Sequence, residues 1–480
     1  MRMLRVKRYC NRAALLLLAA ALLAGLWMPT AADAATAEQV NEVRQILEQY
    51  HVSKPDEEQL NNAAINALIE SLHDKYTEFF NAEEWASFAS DLEQNFTGIG
   101  IVLVEEDGVV YVEDVIPGGP AEAAGILPGD ALTAADGDSL LGLTISGVQK
   151  KLLGEEGTKV SVGVTRDGKR LDFPITRRAM QLPVATGQMM DDGVGYLALS
   201  GFTSDAGKLF AQQIEKLEEA GMISLLIDLR NNGGGYVNAA QQIAGLFIED
   251  GVLAHLKNRD GTDSPLNVSG GGKPYPVTIL VNGNSASASE LLAGALQDYG
   301  IAKLVGTKTY GKGVVQSIFP LESGGVVKVT VQEYFTPEGN KVDNVGLTPD
   351  HAVDGAIDQL IAAYRDAGGQ RLTVDVGQGF IVLNGVRAAF ANAAVQDAAS
   401  SAWFVNLRLA AALAGATVGY DAKTKEITLS KGDQVRKLAA GDERLINKNG
   451  WNLIDLNIMR QWFPGLSQGA EGSRLKLVYQ

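Results

Sequence analysis

Three serines stand at alternate positions, Ser285, Ser287 and Ser289, where the chain is predicted to turn from a strand into a helix. The strand is the β-branched run 277–281, and the helix is the apolar run 291–297. Such a corner presents one side chain and leaves backbone N–H groups free at the start of the helix. The pattern therefore predicts a nucleophilic serine. Its alternative is that the three hydroxyls only cap the helix.

A serine hydroxyl attacks a carbonyl poorly unless a neighbouring base removes its proton. The four histidines lie in no recognisable catalytic pattern: His51, His73, His255 and His351. Lys312 is the better candidate, because it lies between two glycines that let the backbone approach the core closely. A strand is predicted after it, and period-2 alternation places Lys312 and Gln316 on one face. A desolvated site would keep the amine neutral, and Gln316 would orient it.

The lysine segment also matches most of a phosphate-binding loop, through Gly306, Gly311 and Lys312. However, Gly313 stands where that loop needs serine or threonine to hold Mg²⁺, and a strand rather than a helix is predicted to follow. The segment therefore favours serine–lysine chemistry over nucleotide binding.

Together these motifs resemble those of the carboxyl-terminal processing (tail-specific) serine proteases. The resemblance rests on residues 285–290, 309–316 and 228–235 and on a PDZ-like segment before them, and it covers roughly residues 36–365. It implies an endopeptidase that binds the C-terminus of a protein and cleaves upstream of it through an acyl-enzyme.

The resemblance also assigns three roles, those of nucleophile, general base and orienting partner, to Ser287, Lys312 and Gln316 respectively. A glycine-rich loop at the end of a strand can aim backbone amides at an oxyanion. Together with the N–H of Ala288, an amide of Gly233 or Gly234 would complete such a hole. The family usually has proline at the position of Gly233. Asp228 and Arg230, in the same segment, are expected to form a structural ion pair.

Residues 96–178 alternate short strands with turns and resemble a PDZ domain. The loop that would bind a peptide's terminal carboxylate through its N–H groups corresponds to Gly98, Ile99, Gly100 and Ile101. An ordinary hairpin entry is the alternative explanation of its glycines. The resemblance implies protein or peptide substrates with accessible, apolar C-termini. Leu153 stands where the family often has arginine, so a coupling between this domain and the protease that depends on that arginine must differ here or be absent.

The first 34 residues have the composition of a secretory signal peptide. Five basic residues precede an apolar run over 13–27, and a small-x-small cleavage site ends at Ala34. An uncleaved membrane anchor is less favoured, because the apolar run is short for a span. We therefore expect export to the cell envelope, periplasmic or extracellular.

Composition excludes several other chemistries. The only cysteine, Cys10, lies in the leader, so the mature chain lacks thiol catalysis, disulfides and cysteine-based zinc sites. No His-Glu-x-x-His motif occurs, and no metal or other cofactor is predicted. The net charge of −16 becomes more negative once the leader is removed, which disfavours nucleic acid as a partner.

The chain is too long for one core. It is predicted to comprise a signal peptide (1–34), a helical region (35–95), a PDZ domain (96–178), a protease core (179–370) and an accessory domain (371–480). Alternating strands and helices in the core predict a multidomain α/β protein. The resemblance implies a crotonase-like α/β spiral with an inserted PDZ domain and an N-terminal helical cap that can mediate homodimer contacts.

Residues 371–480 predict a small α+β domain, with strands over 372–382 and 418–429 and a helix over 401–414. Part of it is similar to the stalk domain at the N-terminus of copper amine oxidases. Since no cluster of histidine or cysteine accompanies it, copper is not expected. A spacer, or a module for a cell-wall or protein partner, is our hypothesis.

Two other functions stay open at this point. A non-catalytic PDZ adaptor on a degenerate protease scaffold is disfavoured by the intact Ser287, Lys312 and Gln316. An acyl-thioester hydrolase of the crotonase type would share the fold class, but would need neither a PDZ segment nor a secretion signal. The sequence therefore favours an exported serine endopeptidase.

Overall fold

The computed structural model describes residues 36–106, 108–166, 168–377, 379–397, 399–439, 441–448, 450–471 and 474–480. The predicted signal peptide and Cys10 lie outside these residues. Among the helices of these ranges, none is both long enough and apolar enough to cross a membrane. The described part of the chain divides into two compact units, with the boundary between Phe79 and Phe80.

In the first unit, helices α1 (Ala37–Tyr50) and α2 (Glu57–Glu70) are followed by the short strand β1 (Glu78–Phe80). A capping box starts α1, since Thr36 and Gln39 exchange side-chain and backbone hydrogen bonds. Arg44 of α1 bonds to Glu57 of α2 at 2.7 Å. The apolar residues that give α1 its helical pattern are more than half exposed, namely Val40, Val43 and Ile46.

The second unit begins with α3 (Ala82–Leu92) and continues into an antiparallel sheet in the order β3-β4-β5-β7-β8, with β6 beside β5. Its strands are β3 (Ile101–Glu106), β4 (Val109–Val115), β5 (Ala131–Ala135), β6 (Asp138–Ser139), β7 (Lys159–Arg166) and β8 (Lys169–Thr176). Helices α4 (Pro120–Ala124) and α5 (Ile145–Leu152) pack with this sheet around buried aliphatic side chains, among them Val112, Val148 and Val162. Strands β2 (Asn95–Gly98) and β9 (Arg178–Gln181) pair at the two ends of this segment.

A six-stranded sheet, the core sheet, has the order β10-β11-β12-β15-β16-β19. Its strands are β10 (Ala185–Met189), β11 (Val194–Leu199), β12 (Ser224–Asp228), β15 (Val277–Val281), β16 (Ala302–Gly306) and β19 (His351–Ala352). Only β10 is antiparallel to its neighbour, and the other pairs are parallel.

Both faces of the core sheet are covered, which explains why its central strands β12 and β15 are largely apolar and are buried at every position. Leu225 and Ile227 of β12 pack in a cluster with helices α6 (Ala206–Glu219), α7 (Val237–Phe247) and α8 (Ala288–Asp298). Leu226, between them, belongs to a second cluster that contains α9 (Ala356–Asp366). A short 3₁₀ turn, Asp191–Gly193, precedes β11.

A second antiparallel sheet contains β13 (Asp250–Asn258), β14 (Asp263–Ser269), β17 (Val314–Pro320) and β18 (Val326–Phe335). In it β13 pairs with both β14 and β18, and β17 pairs with β18. Because β17 follows directly after residue 313, this sheet fixes where the lysine segment lies.

The C-terminal domain contains α10 (Leu407–Ala414), α11 (Leu456–Trp462) and three small antiparallel sheets. The first consists of β20 (Leu372–Val376), β21 (Phe380–Leu383), β22 (Val386–Ala389), β30 (Leu466–Glu471) and β31 (Arg474–Tyr479). The second consists of β23 (Ala394–Gln396), β24 (Trp403–Asn406), β28 (Leu445–Lys448) and β29 (Trp451–Asp455). The third consists of β25 (Thr417–Asp421), β26 (Glu426–Lys431) and β27 (Gln434–Ala439).

The second face of the core sheet and the C-terminal domain share one hydrophobic cluster. Leu226, Leu280 and Val305 enter it from the core sheet, while Ile381 and Leu413 enter it from the C-terminal domain. The C-terminal domain and the core sheet therefore bury apolar side chains in one common core.

Candidate active site

The carboxyl ends of three neighbouring parallel strands, β12, β15 and β16, form one edge of the core sheet. The loops 229–236, 282–287 and 307–313 follow these strands. Ligands of open α/β sheets bind outside the carboxyl ends of strands. All three predicted motifs therefore meet at the edge where a site is expected.

Ser287 stands at the corner between β15 and α8 in a strained backbone conformation. Its φ is 56° and its ψ is −116°, a combination that non-glycine residues rarely adopt. Its neighbours Ala286 and Ala288 are buried, while Ser287 is only half-buried. A sharp strand-to-helix turn that exposes one serine is the geometry of a nucleophile elbow.

The other two serines of the triple anchor this corner. The Ser285 hydroxyl donates to the carbonyl of Leu229 at 2.7 Å, and the Ser289 hydroxyl donates to that of Asn232 at 2.8 Å. Both residues are fully buried. Their hydroxyls therefore tie the serine loop to the glycine-rich loop, and Ser287 is the one of the three that faces partly outward.

Glu290 is the residue that links the serine corner to the lysine segment, and the sequence reasoning gave it no role. One carboxylate oxygen accepts the N–H of Ser287 at 3.0 Å and the N–H of Lys312 at 2.9 Å. The other accepts the Thr309 hydroxyl at 2.5 Å and the N–H of Gly311 at 2.7 Å. Glu290 is fully buried, so these four donors compensate the loss of water around its charge.

The spacing of Ser287 and Glu290 could have revealed this link from the sequence. A serine followed three residues later by glutamate at the start of a helix is the pattern of a capping box. Here the glutamate does bind the N–H of the serine three residues before it. The additional bonds to the lysine segment depend on the tertiary fold and leave no local signal.

Two close backbone contacts hold Lys312 in place. A Cβ on Gly313 would lie 2.1 Å from the N of Asp343, and one on Gly311 would lie 3.0 Å from the N of Gly346. Gly311 also has a φ of +86°, which glycine adopts without strain. Both glycines are thus required at their positions, and the Lys312 side chain between them is half-buried.

Gln316 lies in β17, but the simple alternation that was predicted for this strand is interrupted. A β-bulge falls between Val315 and Gln316, opposite β18, so the strand does not keep one uniform period from Lys312 onward. The Gln316 amide donates to the Thr330 hydroxyl at 3.4 Å. The face shared by Lys312 and Gln316 is therefore not given by period-2 spacing alone.

The glycine-rich loop lies directly against the serine. A Cβ on Gly234 would lie 2.8 Å from the Cβ of Ser287 and 2.9 Å from the N of Ala288. The N–H of Gly234 donates to the buried side chain of Asn232 at 2.9 Å. Gly233 is exposed, and an added Cβ there would have open space. In this conformation the amide of Gly233, rather than that of Gly234, is the candidate partner of the Ala288 amide.

Asp228 and Arg230 form an ion pair at the root of the same loop, with a shortest distance of 2.6 Å. The Tyr196 hydroxyl donates to Asp228 at 2.8 Å, and Arg230 donates to the carbonyl of Ala356 at 2.5 Å. Burial, followed by the negative charge of Asp228, raises the pKa of Tyr196 well above its usual value. The network joins β11, β12 and the start of α9.

The two histidines of the second unit bond to carboxylates, His255 to Asp263 and His351 to Asp366, each at 2.7 Å. The part of the chain that the structure describes contains no group of three or more His, Cys, Asp or Glu side chains that could hold a metal ion.

The predicted carboxylate-binding loop connects β2 to β3. Its carbonyls are already engaged, since Ile99 accepts from the N–H of Ala121 and Gly100 accepts from the N–H of Ile116. Strand β3 is at the edge of its sheet and pairs only with β4 among the described strands. Helix α5 packs near β3, and Ile101 and Leu103 are half-buried between them. This arrangement leaves a strand edge to which an extended peptide can add.

Known proteins resemble both the PDZ domain and the protease core of this chain. A probable CtpA-like serine protease of Staphylococcus aureus (strain MSSA476) is 32% identical over 327 residues, which cover 67% of this chain and 66% of that protein. A protein of the same description from Staphylococcus saprophyticus is 32% identical over 321 residues, 66% of this chain and 65% of that protein. The chain thus spans just under two-thirds of the length of these relatives.

Among solved structures, a photosystem II D1 C-terminal processing protease is 27% identical, with a TM-score of 0.44, and the match covers 70% of this chain and 98% of that one. Residues 97–176 match the PDZ domain model, and residues 193–353 match the model of peptidase family S41. The family predicted from the motifs is confirmed: this chain belongs to peptidase family S41 and carries a PDZ domain.

Proposed function

We propose that this protein is an exported serine endopeptidase that binds protein C-termini through its PDZ domain and cleaves the bound chain. The observation that carries the proposal is the shared carboxylate of Glu290, which binds the backbones of Ser287 and Lys312 at one oxygen. Two residues that must exchange a proton are thereby held in neighbouring positions at the carboxyl edge of the core sheet.

The chemistry proceeds in two halves. Neutral Lys312 removes the proton of the Ser287 hydroxyl as the oxygen attacks the scissile carbonyl carbon. The N–H groups of Ala288 and Gly233 stabilise the tetrahedral oxyanion, and protonated Lys312 then delivers its proton to the leaving amine. In the second half Lys312 deprotonates a water molecule, and the water oxygen attacks the acyl carbonyl carbon. The ester bond to Ser287 then breaks, the new C-terminus leaves, and Lys312 returns the proton to the Ser287 oxygen.

In this proposal Gln316 orients the Lys312 amine without adding charge to the site. Its hydrogen bond to Thr330 ties its side chain to the neighbouring strand β18, which limits where its amide can lie. Loss of the orienting amide should reduce the rate of hydrolysis less than loss of the base itself. Gln316→Ala should therefore slow hydrolysis less than Lys312→Met does.

Recognition of the substrate follows from the open edge of β3. The N–H groups of loop 98–101 would bind the terminal carboxylate, and the peptide would pair with β3 in an extended conformation. Ile101 and Leu103, with the apolar side chains of α5, favour an apolar C-terminus. Unstructured proteins with such ends are therefore the proposed substrates.

The test compares hydrolysis of casein, an unstructured protein, by the wild type and by Ser287→Ala and Lys312→Met. Removal of the nucleophile of a comparable protease costs on the order of 10⁶ in turnover, so both variants should be inactive. Lys308→Met is the matched control for the base, since Lys308 is an exposed lysine of the same loop. Undiminished hydrolysis by Ser287→Ala would overturn the proposal, and a wild type that binds peptides without cleaving them would favour the adaptor function.

Export, homodimer contacts through residues 35–95 and the crotonase-like arrangement of the core belong to the same proposal. Export is supported by the composition of residues 1–34, and dimer contacts by the exposed apolar residues of α1. Mass spectrometry of the mature protein should find Ala35 at its N-terminus, and an intact leader on soluble exported protein would contradict the cleavage site.

A further inference from the structure

The C-terminal domain is fixed to the protease core by more than apolar packing. One carboxylate oxygen of Asp192, in the turn before β11, accepts the N–H groups of Gln370 and Arg371 at 2.8 and 2.9 Å and the Tyr364 hydroxyl at 2.9 Å. Asn384 of the C-terminal domain donates to Asp191 at 3.3 Å. The domain therefore begins at a defined point and orientation on the core.

The same domain holds the PDZ domain on its other side. The N–H of Asn392 donates to the carboxylate of Glu106 at 2.7 Å, and the Arg387 guanidinium donates to the carbonyl of Glu113 at 3.0 Å. Arg387 is itself held in position by the ring of Phe380, whose centroid lies 4.0 Å from its guanidinium carbon. Burial raises the pKa of the Glu113 carboxyl, and the charge of Arg387 offsets part of that effect.

The contact between these two domains is local rather than a continuous packed interface. A cleft of about 760 Å³ lies beside it, lined by Tyr111 and Arg166 of the PDZ domain and by Phe380 and Trp403 of the C-terminal domain. The second oxygen of Glu106 is buried without a hydrogen-bond partner among the described residues, which weakens the contact. A few substitutions should therefore separate the domains without unfolding either.

These contacts are separate from the connection between the PDZ domain and the core. That connection is the antiparallel pair β2–β9, at the two ends of the domain. Strand β3, to which the peptide would add, begins at Ile101 next to β2 and ends at Glu106, where the C-terminal domain binds. Without the second attachment, the PDZ domain would be held by the β2–β9 pair and by its packing on the core alone.

We propose that the C-terminal domain is an internal mount for the PDZ domain, and that its binding surface, formed by Arg387, Asn392 and Phe380, is occupied by this chain's own β3 and β4. A mount raises the effective concentration of a PDZ-bound substrate at Ser287, because the distance between the two sites no longer varies. This consequence rests on the proposed peptidase function, whereas the mount itself does not.

The first experiment measures the mount without catalysis. In full-length Ser287→Ala protein, Arg387→Met, both alone and together with Glu106→Ala, should speed amide exchange in β2 and β9, at least tenfold in the double variant, while exchange in β11 and β12 stays unchanged. Arg436→Met, at an exposed arginine of β27, is the matched control and should change neither. If the amides of β2 and β9 exchange as slowly in the double variant as in the parent protein, while β11 and β12 remain protected, the proposed mount is wrong.

The second experiment measures delivery with Ser287 intact. Two peptides of one sequence, one with a free apolar C-terminus and one amidated, are compared by kcat/KM. In the wild type the free peptide should be preferred. In Arg387→Met, which leaves β3 unaltered, this preference should fall toward one, with the amidated peptide cleaved as before. If the variant shows faster amide exchange but still prefers the free peptide, the mount does not deliver substrate to Ser287. The same conclusion follows if the preference falls only as much as the affinity of the PDZ domain for a labelled free peptide falls. Cleavage of neither peptide by the wild type would refute the peptidase function and leave the exchange result standing.

Discussion

The Glu290 carboxylate accepts hydrogen bonds from the two residues on which the proposed reaction depends, Ser287 and Lys312. A carboxylate has two acceptor oxygens and can accept four donors, whereas a neutral amide offers one acceptor oxygen and two N–H donors. It accepts the N–H groups of Ser287, Gly311 and Lys312 and the Thr309 hydroxyl, rather than contacting the reacting atoms. We therefore regard it as a positioning residue.

Glu290→Gln should lower kcat by on the order of 10²-fold, because the amide NH₂ must face backbone N–H groups and displaces Ser287 or Lys312 from the reactive geometry. KM and PDZ affinity should change little, since the substrate does not contact this buried side chain. Steady-state kinetics, together with anisotropy of a labelled peptide, separate these effects. Equal losses in kcat and PDZ affinity would indicate a general folding defect instead.

Gly234 is required for a different reason, the closeness of its Cα to the serine. Gly234→Ala should abolish hydrolysis, because the added Cβ would lie 2.8 Å from both the Cβ of Ser287 and the carbonyl oxygen of Ala286. The matched control is Gly221→Ala, which has a similarly positive φ of +86° but open space around the new Cβ. It should cost about 1 kcal/mol of stability, measured by denaturant unfolding, and leave activity intact. Active Gly234→Ala enzyme would show that the glycine loop moves away during catalysis.

At the scale of elements, the local pattern predicted types well and boundaries less well. The helix predicted over 401–414 begins only at Leu407, because Asn406 caps it by accepting the N–H groups of Arg408 and Leu409. The residues before it form β24, which pairs with β23 and β29. Pairing with strands distant in sequence outweighed the helical propensity of this segment.

Two predicted strands of the same domain are in fact hairpins. The segment 418–429 turns at Asp421, whose side chain accepts the N–H of Lys423 at 2.8 Å, and Lys425 has a φ of 55°. Residues 372–382 contain the whole of β20 and all but the last residue of β21, and these two strands pair with each other. An aspartate followed by polar residues is a turn signal that apolar periodicity alone does not register.

The turn at Asp192 carries a prediction about pH. Hydrogen bonds from the N–H groups of Gln370 and Arg371 lower the pKa of Asp192. A lowered pKa in the folded state means that the stabilisation is complete above the unfolded value of about 3.9 and is lost as the pH falls through the folded value. Asp192→Asn should therefore melt at a lower temperature than the wild type at pH 7, with the gap narrowing below about pH 4. Calorimetry at both pH values measures this gap, and a constant gap would contradict the role of the charge.

At the scale of the whole molecule, the order of the parts could be predicted because each motif is local. The serine, lysine and glycine segments each lie within a few residues, and the alternating strands and helices indicated an α/β core. The docking of residues 371–480 could not be predicted in this way. The largely apolar strands β12 and β15 imply that both faces of the sheet are covered, but they do not indicate which segment covers them.

Removal of the C-terminal domain tests how far the protease core depends on it. A chain that ends at residue 370 should expose the apolar surface formed by Leu226, Leu280, Val305 and the buried side of α9, which the domain now helps to cover. Each large aliphatic side chain returned to water costs roughly 1.5–3 kcal/mol, and a whole domain is stable by only about 5–15 kcal/mol. We therefore expect the shortened chain to aggregate or to bind a hydrophobic dye, with a melting temperature well below that of the full chain. Loss of the mount alone would leave the core as stable as before, so a soluble shortened chain of unchanged melting temperature would show that the domain serves the PDZ domain and not the core.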